Sequence, residues 1–466
     1  MKTTLERELK LDPPEGFELP PLAGDELESR VFTSTYYDTP KRSLTRAGIT
    51  LRLRVEKGVS RWQLKLPRSE NARSEIEVVG GPTGPPEPLG ELLTAHLVHG
   101  RVEPVATLRT RRNGVRVVDG SRAIAEVTLD VVDILDGGHA ASTFAEVEVE
   151  LVDGNEKDLE QLGRTLRRAG ATRSNGQPKV MRVLGLAEDE TPSHKRPIDR
   201  IRHLLAVQLR ELEAHDPGVR TGDDPEDLHR FRVATRRTRA IVRATKPLFG
   251  TTLANLAVET KWLAGMLGPV RDLDVMLERL RAEAALLGDE REAAEALVAS
   301  FESERRERRE ELLAALRSPR YTALLRTFAE AIAAIDAHES DGKLEPLAAT
   351  QLKKLRQAAS ELDEEPPDEQ LHAVRIRAKR ARYAAELVGS KKVERYVDAL
   401  KELQDVVGEH QDAVVAAKRL RDAAAPETAI AAGRLIEREH LRRRQCRAAF
   451  PTVLEAALRR GRKALG

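Results

Sequence analysis

Strand after strand in the first third of this chain alternates an apolar residue with an ion, and that pattern restricts the possible fold severely. Leu5, Leu9 and Leu11 alternate with Glu6, Glu8 and Lys10, and Leu51, Leu53 and Val55 with Arg52 and Arg54. Val127, Leu129 and Val131 stand opposite Glu126 and Asp130, and Val147, Val149 and Leu151 opposite Glu146, Glu148 and Glu150. Arg73, Glu75 and Glu77 share a face, and Lys65 is flanked by Leu64 and Leu66. Successive side chains of a strand point to opposite faces, so each strand has one apolar face and one crowded with charge. An ordinary sheet with its polar face in water fits any single strand. It fits the set less well, because water-facing strands mix in Thr, Ser and Gln, whereas here nearly every position on that face is an acid or a base. A closed barrel resolves the conflict if the charged faces point inward and helices cover the apolar ones.

Inside such a tunnel, carboxylates can hold a hard divalent cation while Arg and Lys hold phosphate oxygens. A polyphosphate chain is repelled by carboxylates, so the acids make sense only with Mg²⁺ or Mn²⁺ between them and the ligand. A metal beside the terminal phosphoryl group orients and acidifies a water, and fixed cations stabilise the charge on the transferring and leaving groups. The chain carries neither the Gly-rich Walker loop nor an H-E-x-x-H zinc motif.

Beyond about residue 195 the pattern is helical to the end. Two segments repeat one another: His229-x-x-Arg232-Val233-x-x-Arg236-Arg237-x-Arg239 and His372-x-x-Arg375-Ile376-x-x-Lys379-Arg380-x-Arg382. Positions spaced three, four and three apart lie on one face of a helix, so each copy lines up a His with three cations, and the first continues to Arg243. Stacked cations repel, so the fold either solvates them or gives them a polyanion. A solvated face accounts for one stripe; two in the same register favour the polyanion. Each stripe is followed by a glycine and an acid, Gly268 with Asp272 and Gly408 with Asp412, which extends the duplication. Those two acids are expected to orient the basic residues. His229 and His372 are read equally as phosphate donors and as structural hydrogen-bond partners.

Charged residues make up 33% of the 466, yet 78 Lys and Arg against 76 Asp and Glu leave a net charge of only +2, so anion binding must come from local segregation of charge. Aromatic residues are 3%, which argues against a binder of single-stranded nucleic acid, since that needs rings to stack on bases. No run approaches the roughly 18 apolar residues of a membrane span, and the first residues form no signal-peptide core, so a soluble, cytosolic protein is expected. One cysteine, Cys446, rules out an internal disulfide and a cysteine-based zinc site.

The expected architecture is α+β and multidomain: an N-terminal antiparallel β tunnel with flanking helices over 1–186, a polar linker over 187–196, and an all-α domain over 197–466. That domain is expected to consist of two duplicated helical bundles, about 197–340 and 343–466.

These residues resemble two known families. Glu6-Arg-Glu8-Leu-Lys10 resembles the E-x-E-x-K signature of CYTH domains, the triphosphate tunnel metalloenzymes. It is followed in family order by Tyr36-Tyr37-Asp38-Thr39-Pro40, Leu51-Arg52-Leu53-Arg54, Lys65, Arg73-x-Glu75-x-Glu77, Glu146-x-Glu148-x-Glu150 and Lys179-x-x-Arg182. The helical part, with its two basic copies, resembles the CHAD domain, an α-helical module that binds inorganic polyphosphate. CYTH followed by CHAD is a known bacterial arrangement, and such proteins are similar to inorganic triphosphatases.

The resemblance implies an eight-stranded tunnel that cleaves triphosphate-containing substrates with a divalent metal, Mg²⁺ or Mn²⁺. Glu6 and Glu8 would hold the metal with acids from Glu146, Glu148 and Glu150, and Asp130 falls where the family often has a further acid. Lys10, Arg52, Arg54, Lys65, Arg73, Lys179 and Arg182 would grip phosphates, with Glu6, Glu8 and Lys10 as the catalytic set. In Leu108-Arg109-Thr-Arg111-Arg112, strand parity favours Arg109 and Arg111 whereas the family spacing favours Arg112, and a bulge would reconcile the two. His229, Arg232, Arg236, Arg237, Arg239, His372, Arg375, Lys379, Arg380 and Arg382 would bind polyphosphate. The expected activity is hydrolysis of inorganic triphosphate, with the helical domain holding the protein on polyphosphate, including polyphosphate granules. A pure polyphosphate-binding protein is the main alternative. Thiamine or nucleoside triphosphate hydrolysis, adenylate cyclisation and nucleic-acid binding rank lower, because no adenine pocket is identifiable.

Overall fold

The computed structural model describes residues 2–69, 72–98, 100–174, 179–184, 196–336 and 343–466. The chain divides into two compact units, Met1–Thr191 and Pro192–Gly466. The expected linker lies outside the described residues except for Arg196, and so does most of the expected junction between the helical repeats.

In the first unit, eight antiparallel strands close on themselves: β1 (Lys2–Asp12), β2 (Gly24–Asp38), β3 (Thr50–Glu56), β4 (Val59–Ser69), β5 (Ala72–Val79), β6 (Glu103–Asp119), β7 (Arg122–Asp136) and β8 (His139–Leu151). Going round the barrel, the order is β1, β5, β4, β3, β2, β6, β7, β8 and back to β1. The first strand closes it with its two halves: Lys2–Arg7 pair with β5, and Glu8–Leu11 with β8. A two-residue strand, β9 (Thr172–Arg173), adds to the end of β1.

The apolar faces point outward, as the alternation requires, and are covered over two patches of the barrel, while Leu5, Val31 and Val55 stay exposed. Leu51, Leu53, Trp62, Leu64 and Ile76 pack under the short helices α1 (Ser43–Arg46), α2 (Glu87–Leu92) and α3 (Thr94–Leu97). Leu11, Val127, Val147 and Val149 pack under α4 (Glu156–Arg168) through Leu159, Leu162 and Leu166. Asn155 starts α4 with a capping box shared with Asp158, which satisfies backbone donors that a helix leaves unpaired at its first turn. Gly163 lets α4 approach β1, since a Cβ there would lie 2.5 Å from Leu9 Cδ2. The Tyr36–Pro40 motif has a structural task as well: the buried Asp38 carboxylate accepts the backbone N–H groups of Thr39, Leu44 and Thr45 at 2.7–2.9 Å and so seats α1. A further helix, α5 (Lys179–Leu184), places Val180 against Tyr36, Leu108 and Val132.

The second unit is helical throughout its described residues, with α6 (Pro197–Thr221), α7 (Pro225–Phe249), α8 (Ala254–Ala284), α9 (Arg291–Arg317) and α10 (Pro319–Asp336), then α11 (Glu345–Ser360), α12 (Asp368–Val388), α13 (Lys391–Ala423) and α14 (Ala429–Leu465). The two basic segments lie on α7 and α12, which pack on one another, and each is followed by a long partner, α8 or α13. Asp224 caps α7 by accepting the Glu226 N–H, with Pro225 at the first helical position. Gly389 ends α12 at φ 61°, a left-handed conformation that glycine adopts without Cβ strain. Leu228, Phe231, Ala234, Ile241 and Val242 bury one face of α7, leaving the opposite face to its cations.

Candidate functional site

Directly opposed residues in an antiparallel barrel share a face, so the strand register reads out the lumen row by row. Glu6 faces Arg73, Glu8 faces Glu150, and Lys10 faces Glu148. Tyr36 faces Arg52, Arg52 faces Gln63, Gln63 faces Glu77, and Lys65 faces Glu75. Arg112 faces Asp130, which in turn faces Glu146. Two of these pairs, Glu8 with Glu150 and Asp130 with Glu146, put like charges side by side, an arrangement that costs stability unless cations intervene.

The cations do intervene. Lys10 Nζ lies 3.0 Å from Glu148, 3.5 Å from Glu146 and 3.7 Å from Glu8. Lys179 reaches in from α5 to Asp130 at 2.6 Å, Glu148 at 3.0 Å and Glu146 at 3.4 Å. Arg112 grips Asp130 with two bonds of 2.7 and 2.6 Å and also donates to Glu148. Burial works to raise the Glu148 pKa but is outweighed by Lys10, Lys179 and Arg112, which hold it well below the usual carboxylate range. Burial likewise opposes the charge on Lys179, and Glu148, Asp130 and Glu146 overcome it. This half of the lumen is a closed ion-pair network.

The other half is less balanced. Lys65 contacts Glu6 and, at 3.3 Å, Glu75; Arg73 Nε lies 3.1 Å from Glu8. Burial and a hydrogen bond to Glu75 push the Glu6 pKa up to about 8. Burial also acts against ionised Glu75, but the hydrogen bond from Glu6, followed by Lys65 and Arg52, brings it down to about 2. The two acids therefore share one proton at neutral pH. Arg52 donates to two neutral groups, Gln63 Oε1 at 2.7 Å and the Tyr36 hydroxyl at 3.2 Å. Arg54 stacks 3.6 Å above the centre of the Phe32 ring, reaches Glu56 at 2.8 Å, and has a buried Nε without a hydrogen bond. Burial and then the neighbouring Arg52 bring the Arg54 pKa down to about 10.

The expected phosphate-binding set is brought together in large part. Lys10, Arg52, Arg54, Lys65, Arg73, Arg112 and Lys179 belong to the lumen, and Arg182 lies at its end, half exposed, 2.8 Å from Asp12 and over the Phe144 ring. Arg109 does not belong there. It is exposed, because Leu108, Thr110 and Arg112 take the inner positions and β6 pairs with β7 without a bulge between Thr107 and Val117. Strand parity counted from Arg109 and Arg111 therefore starts on the wrong face, and no bulge is needed to bring Arg112 inside.

The expected metal set divides. Asp130, Glu146 and Glu148 are engaged by Lys10, Lys179 and Arg112, whereas Glu6, Glu8 and Glu150 lie toward Lys65 and Arg73. Glu75 joins the latter group and was absent from the expected ligands, although its alternation with Arg73 and Glu77 was a readable signal. Among the described residues no three His, Cys or acidic side chains are gathered as a ready metal cage. The donors nevertheless suit a hard divalent ion: all are carboxylates, and the buried Glu75 Oε1 accepts no hydrogen bond.

In the helical unit, Arg236, Arg239 and Arg243 of α7 and Arg375, Lys379 and Arg380 of α12 line one cavity of about 830 Å³, closed on another side by Pro346, Leu347 and Lys354. The Nε atoms of Arg236, Arg375 and Arg380 are buried without a hydrogen-bond partner. Burial, and then Arg375, Arg236 and Arg232, push the Lys379 pKa down to about 7. The remaining expected residues lie outside that lining. Arg232 pairs with Asp272 at 2.8 Å, Arg237 is exposed, and Arg382 lies 3.1 Å from Glu386. His372 is exposed and bonded to Gln411 at 2.9 Å, while burial and Arg271 depress the His229 pKa. Burial raises the Cys446 pKa, so that thiol is not activated by its basic neighbours.

Comparison with known proteins agrees with both units. The CYTH domain family matches residues 4–181 and the CHAD domain family residues 203–421. The uncharacterized protein Rv2226 of Mycobacterium tuberculosis strain H37Rv is 31% identical over 471 residues, covering 93% of this chain and 90% of its own length. The CHAD domain of the plant Ricinus communis is 27% identical and covers 56% of this chain and 92% of that domain, with a TM-score of 0.47. HpAC1 of Hippeastrum, an adenylyl cyclase candidate described as having a dominant triphosphatase activity, is 18% identical over 39% of this chain and 97% of that one, with a TM-score of 0.26. With a tunnel matched by the one domain family and a duplicated helical unit matched by the other, this chain belongs to the proteins that join a CYTH domain to a CHAD domain.

Proposed function

We propose that the tunnel hydrolyses inorganic triphosphate with the help of a divalent cation, and that the basic cleft of the helical unit binds inorganic polyphosphate. The observation that carries the reading is the unequal lumen: one half is neutralised internally, and the other holds Arg52 on two neutral partners, Gln63 and Tyr36, near the Glu6 and Glu75 carboxyls gathered on Lys65. Arg52 is the lumen cation best placed to accept a phosphate chain, because its hydrogen bonds go to Gln63 and Tyr36 and taking the chain costs it no carboxylate partner, and Arg54, paired with Glu56 but with a buried Nε left unbonded, lies beside it. Lys65 and Arg73 hold Glu6, Glu75 and Glu8 in position.

Glu6, Glu8, Glu75 and Glu150 would hold the metal, Mg²⁺ or Mn²⁺, displacing the proton of Glu6. When bound, the ion supplies Lewis-acid charge at the phosphoryl oxygens and lowers the pKa of a coordinated water. Lys10 and Lys179, fixed among three acids, provide positive charge deeper in the lumen as the leaving phosphate gains charge. A base-free substrate is the economical choice, since the side chains gathered around Arg52 and Arg54 are chiefly ions and hydrogen-bonding groups, and the Phe32 and Tyr36 rings are already engaged by these two arginines.

Phosphate release from tripolyphosphate, long-chain polyphosphate and ATP should be measured with Mg²⁺, Mn²⁺ or EDTA. Release from tripolyphosphate that requires metal and falls by at least about a thousandfold in Glu6→Gln/Glu8→Gln is expected. Polyphosphate binding without any release would instead make the protein a tether.

A further inference from the structure

Lys379 differs from every other lysine that lines the helical cleft. It projects from α12 into a cavity of about 830 Å³, and the cations around it come from two helices: Arg375 on its own, and Arg232 and Arg236 on α7. Asp412 on α13 is the acid that acts on it, and it does so less than any of the three arginines. Lys246 and Lys354 line the same cavity from α7 and α11.

We propose that Lys379 is a modification site at which the ε-amine takes an acyl group from an acyl phosphate, whose phosphate is held by the guanidinium groups of Arg236 and Arg375. The chemistry needs two things that seldom coincide: a neutral amine, and fixed positive charge beside it to bind the phosphate. Burial and the three arginines bring Lys379 down to about 7, so a large fraction carries a free lone pair at neutral pH. Arginine stays charged throughout, and the Nε atoms of Arg236 and Arg375 are buried without a hydrogen-bond partner. In the step itself, the Nζ lone pair attacks the acyl carbon and an N–C bond forms. The C–O bond to phosphorus breaks, inorganic phosphate leaves with the electron pair, and the amine proton passes to phosphate or water. No oxidant or further reactant is required. The product is an uncharged amide, so the cleft loses one of its cations and should hold polyphosphate less tightly.

The test exposes the full-length protein at pH 7.5 to acetyl phosphate and, separately, to a neutral acetylating ester, and follows each lysine by peptide mass spectrometry. Lys379 should be acetylated by acetyl phosphate at least about tenfold faster than Lys246 or Lys354, because those lysines share the local anion concentration. The preference should be smaller with the neutral ester and should fall in Arg236→Gln. Equal rates at the three lysines would overturn the proposal, and an equal preference with both reagents would overturn the role of the arginines. The inference rests on the cleft binding phosphate, so tripolyphosphate should protect Lys379. Fast, arginine-dependent acetylation without that protection would support the modification site while removing polyphosphate from the cleft.

Discussion

Both units concentrate cations, but they treat them in opposite ways. In the tunnel, Lys10 and Lys179 each touch three carboxylates, and their charge is favoured despite burial. In the helical cleft, Arg375, Lys379 and Arg380 are disfavoured as cations first by burial and then by neighbouring cations, Arg236 and Arg232 for Arg375, Arg375 and Arg236 for Lys379, and Arg243 and Arg377 for Arg380. The difference follows from secondary structure. A strand places its neighbours in register, so an acid on one strand meets a base on the next. A helix places residues three or four apart on one face, and where that face is all basic, only another helix can supply the opposite sign. Here the other helix supplies more cations. The tunnel has built most of its counter-charge into the fold, whereas the cavity lining of the cleft has gathered cations from both helices.

Breaking the tunnel network should therefore have the largest effect on stability. Asp130 is fully buried and is bonded to both Arg112 and Lys179. Asp130→Ala leaves two buried cations to compete for Glu148, which should cost about 3–5 kcal/mol. Chemical denaturation monitored on the tunnel would show it as an earlier transition with an unchanged slope. A loss below about 1 kcal/mol would mean that water replaces the carboxylate and that the lumen is not a closed network.

Acidity sharpens the same contrast. In the unfolded chain Glu6 releases its proton near 4.5, but in the fold it keeps it to about 8. Between those values the folded state binds more protons, so stability is greatest below pH 4.5 for this group, falls with rising pH, and levels off above 8. The limiting slope is about 1.4 kcal/mol per pH unit. Glu6→Gln should flatten part of the decline between pH 5 and 8, leaving the share of Glu146 and Glu150, whose pKa values are raised chiefly by burial. Divalent-ion binding should release about one proton at pH 7 and little above pH 8, measurable by titration calorimetry in buffers of different ionisation heat. Proton release that persists at pH 9 would remove Glu6 from the metal set.

The cleft should respond with the opposite sign. Lys379→Met removes a cation that burial and three arginines oppose, so the free protein should gain about 0.5 kcal/mol, discounted because the side chain is partly exposed. The same change should weaken polyphosphate binding several-fold and flatten its dependence on salt. Loss of stability in this variant would mean that Lys379 serves packing rather than an anion.

Much of this was legible in the sequence because both signals are periodic. Alternation of period two gave the strands and their inward faces, and the 3-4-3 spacing gave the two basic helices. What stayed hidden depended on contacts between distant segments. Periodicity places Asp130, Glu146 and Glu148 with Glu6 and Glu8 on inward faces, but it does not say that Lys10, Lys179 and Arg112 occupy the first three. Arg237 and Arg382 match Arg380 and Arg239 of the other copy, yet they lie outside the cavity lining that those counterparts reach. Gln63 carries no charge and gave no signal, and Tyr36 was legible only as part of the Tyr36–Pro40 motif, although the two are the hydrogen-bond partners of Arg52.

The run from Leu108 to Arg112 gives the smallest and most exacting test, because two arginines three residues apart are assigned opposite faces. Arg109 is exposed on the outside, while Arg112 is bonded to Asp130 and Glu148 in the lumen. Arg109→Ala should leave stability within about 0.5 kcal/mol of the unaltered protein, as surface changes usually do. It should also leave phosphate release from tripolyphosphate unchanged. Arg112→Ala should lower both, since it strands two carboxylates around Lys179. Equal effects of the two changes would mean that the register of β6 is shifted by one residue, and with it the inward face of every neighbour it pairs.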